Sequence, residues 1–151
     1  MSRYCWTLSL GALALLACAG QDGSPPPAVQ TTVSDTTLAV SLSTDRAVYT
    51  RGEAITITLV VRNTGTAPQT LEFSSGQRYD FAIEDARAPV WRWSASKAFI
   101  QVLGEESIAA GDSLVYRERF SGELPMGKYR AEGIVTRMGD ALRATAEFEI
   151  R

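Results

Sequence analysis

Two cysteines, Cys5 and Cys18, are the only thiols in this chain of 151 residues, and histidine is absent. A nucleophilic serine or cysteine is ordinarily activated by an imidazole base, and imidazole is also the commonest side-chain metal ligand. The chain therefore lacks the usual parts for nucleophilic hydrolysis and for most metal sites. Carboxylate-only hydrolysis of the glycosidase kind stays open in principle. The acidic residues, though, mostly alternate with apolar ones, where a strand would turn them to solvent. No glycine-rich phosphate loop occurs. These residue types predict no enzyme, no cofactor and no bound metal.

The remaining chemistry lies in Cys18. Arg3 is the only charge before Asp22, and Trp6 to Leu16 form an apolar run of eleven residues. Such a run is too short to span a bilayer as a helix but suits a signal peptide. It ends in Leu15-Leu16-Ala17-Cys18, which resembles the lipobox of bacterial lipoproteins. That resemblance implies removal of residues 1–17 and a diacylglyceryl lipid on Cys18, with several acyl chains giving a stable anchor. The alternatives are a buried N-terminal helix, which no N-cap or amphipathic stripe supports, and a cleaved signal leaving Cys18 as a free thiol. Residues 18–35, with Pro25-Pro26-Pro27, read as a disordered tether. Ala19 stands where an aspartate often retains such proteins in the inner membrane. The expected place is the cell envelope, in the outer membrane where the cell has two.

Net charge is −2, with both signs interspersed and no basic block. Nucleic acid is therefore not expected as a partner. Lys97 and Lys128 are the only lysines, so the basic residues are almost all arginine.

Residues 36–151 alternate in period two nearly throughout. Leu38, Val40 and Leu42 share a face, as do Ile55, Ile57, Leu59 and Val61. Leu71 and Phe73, then Tyr79, Phe81 and Ile83, continue the pattern, with Arg78, Asp80 and Glu84 on the other side. Val90–Trp93 and Phe99–Leu103 read as short strands. Leu114, Tyr116 and Phe120, then Tyr129, Ala131, Gly133 and Val135, then Ala144, Ala146, Phe148 and Ile150 complete the series. Short alternating strands broken by Gly, Pro and Asn predict an all-β domain, an immunoglobulin-like sandwich of two antiparallel sheets. Tyr129, just after Pro125-Met126-Gly127, fits the tyrosine corner of such folds, whose hydroxyl bonds nearby backbone.

The middle of the chain reads Ser75-Gly76-Gln77-Arg78-Tyr79-Asp80-Phe81, then Val90-Trp91-Arg92-Trp93-Ser94, then Phe99-Ile100-Gln101, then Gly127-Lys128-Tyr129. These runs, in this order, resemble the BsuPI-type intracellular proteinase inhibitor family from about Leu38 to Ile150. The resemblance implies an immunoglobulin-like sandwich and, from the founding member, inhibition of serine proteinases.

The signature residues read physically in two ways. Trp91 and Trp93 fall on one side of a strand, and Tyr79 and Phe81 share a side, so their rings can pack between the sheets. Gly76 then permits a tight turn, while Gln77 and Asp80 bond loop backbone. In the sharper reading, Ser75, Gly76, Gln77, Tyr79, Asp80, Trp91, Trp93 and Lys97 form a binding patch at one loop end. Two segments could block a protease cleft, Ser94–Ala98 and Ser121–Gly127. The functional expectation is a lipid-anchored, non-catalytic binding module of the envelope that acts as a proteinase inhibitor. The alternative is an envelope protein–protein interaction or assembly domain with no inhibitory activity.

Overall fold

In strand β4 (Ile55–Asn63) every second side chain is apolar, and Ile55, Ile57, Leu59 and Val61 are all buried. Its neighbours on either side repeat that period, so one face of each strand is removed from water. A computed structural model describes residues 29–33 and 37–151 of the chain. Its remaining strands are β1 (Val29–Val33), β2 (Leu38–Thr44), β3 (Val48–Tyr49), β5 (Gln69–Phe73), β6 (Tyr79–Glu84), β7 (Pro89–Arg92), β8 (Gly104–Ile108), β9 (Ser113–Phe120), β10 (Gly127–Val135) and β11 (Leu142–Ile150). A single 3-10 turn, Trp93–Ser96, follows β7.

One sheet has the order β1-β2-β4-β9, the other β3-β11-β10-β6-β7, and β5 pairs with β8 in a separate two-stranded ladder. The chain leaves the first sheet after β2 and enters the second as β3, parallel to β11. This switch and the strand order are those of an immunoglobulin-like sandwich, as expected. The Asp45 carboxylate holds the crossover by accepting bonds from the Tyr49 hydroxyl and the Thr56 amide, each at 2.7 Å.

The core lies between the two larger sheets. Leu42 pairs with Leu59 across the β2–β4 ladder. Both point at Gly133 of β10, where an added Cβ would sit 2.6 Å from Leu42 Cδ1 and 3.0 Å from Leu59 Cδ1. Glycine at this point lets the two sheets close. Each large side chain buried between them contributes roughly 1.5–3 kcal/mol. Tyr129 stacks on Phe148 with ring centroids 5.6 Å apart and donates its hydroxyl to the Pro125 carbonyl at 2.8 Å. The tyrosine corner is therefore present.

Three expectations need correction. Residues 29–33 are not tether: they form β1, in register with β2 from Val29↔Ser43 to Val33↔Ala39. Residues 18–28 and 34–35 of the expected tether, residue 36 of the expected domain, and the segment before Cys18 lie outside the described residues. The alternating run Phe99–Leu103 is not a strand; the ladder with β5 begins only at Gly104. Asp80 of β6 bonds loop backbone at Ser94 as expected, but its alternating place does not turn it to solvent: it is buried together with Phe81, Ala82 and Ile83.

Gly133→Val should overpack the contact with Leu42 and Leu59 and lower unfolding free energy by roughly 1–3 kcal/mol. Urea denaturation monitored by circular dichroism measures it; an unchanged midpoint would show that the sheets have slack at this point.

Candidate functional site

Asp80 sits on the outer face of β6, and the turn Trp93–Ser96 folds back over it. Its Oδ1 accepts the amides of Phe81 at 2.9 Å and Ser94 at 3.1 Å. Its Oδ2 accepts the Ser94 hydroxyl and the Arg92 guanidinium, both at 2.7 Å. Four donors compensate the carboxylate for its lost hydration, which a buried charge requires. Asp80 thereby fixes the second signature run to the first.

A column of rings extends this link to the third run. Tyr116 stacks on Tyr79 (4.7 Å between centroids), Tyr79 meets Trp93 (4.6 Å), and Trp93 meets Phe99 (5.8 Å). The Lys97 ammonium lies over the Trp93 ring at 4.4 Å. Tyr79 donates its hydroxyl to Glu118 at 2.7 Å, and Tyr116 donates to Glu106 at 2.6 Å. Burial first, and then these carboxylates, push both phenols well above their ordinary value of 10. Both remain protonated donors, and neither serves as a base.

Gly76 joins the same structure by close approach rather than by an unusual backbone angle, since its φ is not positive. Its amide donates to the Ile100 carbonyl at 2.8 Å, and an added Cβ would lie 3.0 Å from Ile100 Cγ1. The Ser75 hydroxyl accepts the Gln77 amide at 3.2 Å. Gln77 donates its side-chain amide to the Tyr79 carbonyl, and its own carbonyl accepts the Thr136 hydroxyl. Arg78 bonds the Ser75 carbonyl, pairs with Glu106 at 3.2 Å and lies over the Phe73 ring at 4.6 Å. A Cβ on Gly104 would collide with this guanidinium, so Gly104 is held beneath it.

Seven of the eight candidate patch residues thus meet in one hub. Trp91 does not. Strand β7 ends at Arg92, so Trp91 and Trp93 do not share one side of a strand. Trp91 pairs with Ile83 in the ladder and packs its ring against Phe120, 5.2 Å away. Both indoles pack on the core, but with separate neighbours.

The two expected blocking segments are each anchored at one residue and otherwise exposed, residues 95–98 in the first and Met126, 72% exposed, in the second. Ser94 is bonded to Asp80, and Ser94–Ser96 lie in the 3-10 turn. In Ser121–Gly127, Leu124 is buried and Pro125 holds Tyr129. Between them lies the densest set of exposed aliphatic side chains: Ile100, Val102 and Leu103 are 72%, 57% and 75% exposed. Beside Leu103, a hollow of about 450 Å³ is also lined by Glu72, Phe73, Glu105 and Met138. The sequence offered no site signal for Glu106, Tyr116 and Glu118, the partners that tie the hub to β8 and β9. Arg78, their partner in the first run, lay within the expected patch. A second hollow, about 750 Å³, lies around Glu84, Arg87, Lys128, Arg130 and Glu147.

A family described as BsuPI, intracellular proteinase inhibitor, matches residues 42–139. Among curated proteins none matches. Solved structures with a similar course include the alkylpurine DNA glycosylase AlkC of Pseudomonas fluorescens, at 23% identity and TM-score 0.39, over 70% of this chain and 28% of that one. The sporulation control protein Spo0M of Bacillus subtilis is similar at 15% identity and TM-score 0.46, over 77% of this chain and 49% of that one. The CARDB domain of PF1109 from Pyrococcus furiosus is similar at 10% identity and TM-score 0.41, over 83% and 96%. The chain spans about a quarter of the first of these and about half of the second.

Asp80→Ala leaves the Ser94 hydroxyl and amide without their acceptor, and should cost about 3 kcal/mol. The urea midpoint should fall, and tryptophan emission should shift to the red as Trp93 leaves Tyr79. Wild-type emission together with a wild-type midpoint would remove Asp80 from its place as the link.

Proposed function

The chain belongs to the BsuPI family of intracellular proteinase inhibitors, and on that premise we propose that it is a non-catalytic binding module that inhibits a proteinase from the cell envelope. The observation that carries this reading is the destination of the signature's polar atoms. Asp80, Ser94, Gln77, Tyr79 and Arg78 each bond another part of the hub. Among the described residues, no buried side-chain nitrogen or oxygen lacks a partner. Groups so engaged hold a surface in shape; they are not aimed at a reacting atom. Inhibition by a shaped surface needs no general base, which agrees with a sequence devoid of histidine.

The family description says intracellular, whereas Leu15-Leu16-Ala17-Cys18 directs export. In our reading a diacylglyceryl group on Cys18 anchors the protein to a membrane, and its target lies outside the cytoplasm. Where the cell has two membranes, Ala19 favours the outer one. The second reading, an assembly domain without inhibitory activity, draws its support from the hollow around Glu84, Arg87, Lys128, Arg130 and Glu147, where both signs of charge meet a concave surface.

Titration of the full-length protein in detergent against a panel of serine proteases should show stoichiometric inhibition of at least one. Intact proteases throughout the panel at micromolar inhibitor, with a specific envelope protein recovered by crosslinking, would favour the assembly reading. Cys18→Ser should abolish incorporation of labelled fatty acid and move the protein from the membrane fraction to the soluble one. Labelling that persists in this variant would falsify the anchor.

A further inference from the structure

We propose that Ile100–Leu103 is the segment that occupies the protease cleft, and that the target is a protease whose primary pocket takes an aliphatic side chain. This rests on the inhibitory reading above. Three features of the segment point to it.

The first is exposure. Ile100, Val102 and Leu103 present three aliphatic side chains within four residues, each more than half exposed. Isolated exposed apolar residues are ordinary; a contiguous set marks a contact surface. The second is the absence of a ladder partner along residues 101–103. The run belongs to no strand, yet it leads directly into β8 at Gly104. Main chain outside any ladder is free to pair with a partner, as peptides bound by strand addition do.

The third is bracing. Phe99 is held by Trp93 and the Ile100 carbonyl by the Gly76 amide. Gly104 lies under Arg78 and pairs with Phe73. Both ends of the segment are therefore tied to the hub while its middle stays open. A segment held in its bound shape loses little conformational freedom on docking, which raises affinity without new contacts.

Charge selects the partner. Residues 99–104 carry no cation, so a pocket built for lysine or arginine has nothing to bind. Glu72 and Glu105 stand beside Leu103. Arg78, the cation over Gly104, is already paired with Glu106, so the Glu72 and Glu105 carboxylates disfavour an anionic bilayer and a protein cleft fits the segment better. Leu103 is the most exposed of the three and is followed by the pinned Gly104, so it is the residue assigned to the primary pocket.

The test compares inhibition of chymotrypsin and subtilisin, which take apolar residues, with trypsin, which takes a cation. The full-length protein in detergent should inhibit one or both of the first pair and not trypsin. Leu103→Asp should weaken that inhibition on the order of 100-fold, as loss of a central anchor does, with wild-type circular dichroism and thermal midpoint. Leu103→Arg should gain inhibition of trypsin. If wild type inhibits while Leu103→Asp and Ile100→Asp retain full potency, the segment is not the contact, although the inhibitory reading stands. If wild type inhibits none of the panel, the inhibitory reading fails and this assignment fails with it. Two further results overturn it in favour of another occupant. One is binding of Cys18→Ser protein to phosphatidylglycerol vesicles that Leu103→Asp abolishes; the other is a self-association that the same substitution abolishes.

Discussion

The hydrogen bonds to the Asp80 carboxylate hold together what the signature runs build. Trp93 brings the turn after β7 onto Tyr79 of β6, and the bonds from Arg92 and Ser94 to Asp80 fix where the turn closes. Once the turn is closed, Trp93 lies against Tyr79, and Phe99 lies against Trp93. The Arg92 guanidinium remains 44% exposed while Asp80 is almost wholly buried. Only one partner of this pair is desolvated, which lessens the penalty that makes fully buried ion pairs poor stabilisers. The value of the arrangement lies in specifying one position for the turn more than in net stability.

The ends of β10 show two solutions to one problem, that of fixing a loop to a sandwich. At its start, a single phenol, Tyr129, reaches back to the Pro125 carbonyl and stacks on Phe148. At its finish, Thr136 donates its amide to Arg78 and its hydroxyl to Gln77, tying the strand's exit to the first signature run. The first end needs only one residue in the right register. The second needs residues from β5, β6, β8, β9 and three loops, since the Arg78–Glu106–Tyr116 chain and the Tyr79–Glu118 bond cross between sheets. Such a network holds its place only if every member is satisfied, because an unpaired polar group in a poorly solvated site costs more than a bond gains.

The sandwich was legible from period two alone. Leu38, Val40 and Leu42, or Ala144, Ala146, Phe148 and Ile150, alternate with polar residues because each strand has one wet face, and the structure buries each of these apolar sets. The same rule failed at Phe99–Leu103, where an apolar, polar, apolar order reflects an exposed segment and no ladder. Asp80 misled for the opposite reason: its place on the outer face was right, but a turn from further along the chain covers that face. Strand β8 was missed because Gly104-Glu105-Glu106 lacks an apolar alternation; what it offers β5 is backbone. Strand β1 was missed likewise, since Val29–Val33 joins an edge through main-chain bonds that side-chain pattern does not report. The hub was legible as a set of residues and illegible as a geometry, because Glu106, Tyr116 and Glu118 enter it from strands far along the chain.

Conserving shape at the hub has a chemical consequence. Both phenols in the ring column are donors to carboxylates and are held protonated by burial, and Lys97 rests on an indole face. These polar groups bond one another, while the nearby aliphatic side chains of Ile100, Val102 and Leu103 are left in water. A fold under selection for stability alone would favour the reverse, burying the aliphatics and leaving charges to solvent. The inversion is densest at this segment, where three exposed aliphatics fall within four residues beside a bonded set of partners. Rigid support beneath exposed apolar groups favours association over chemistry: it fixes a surface before the partner arrives, and the exposed area is what the partner removes from water.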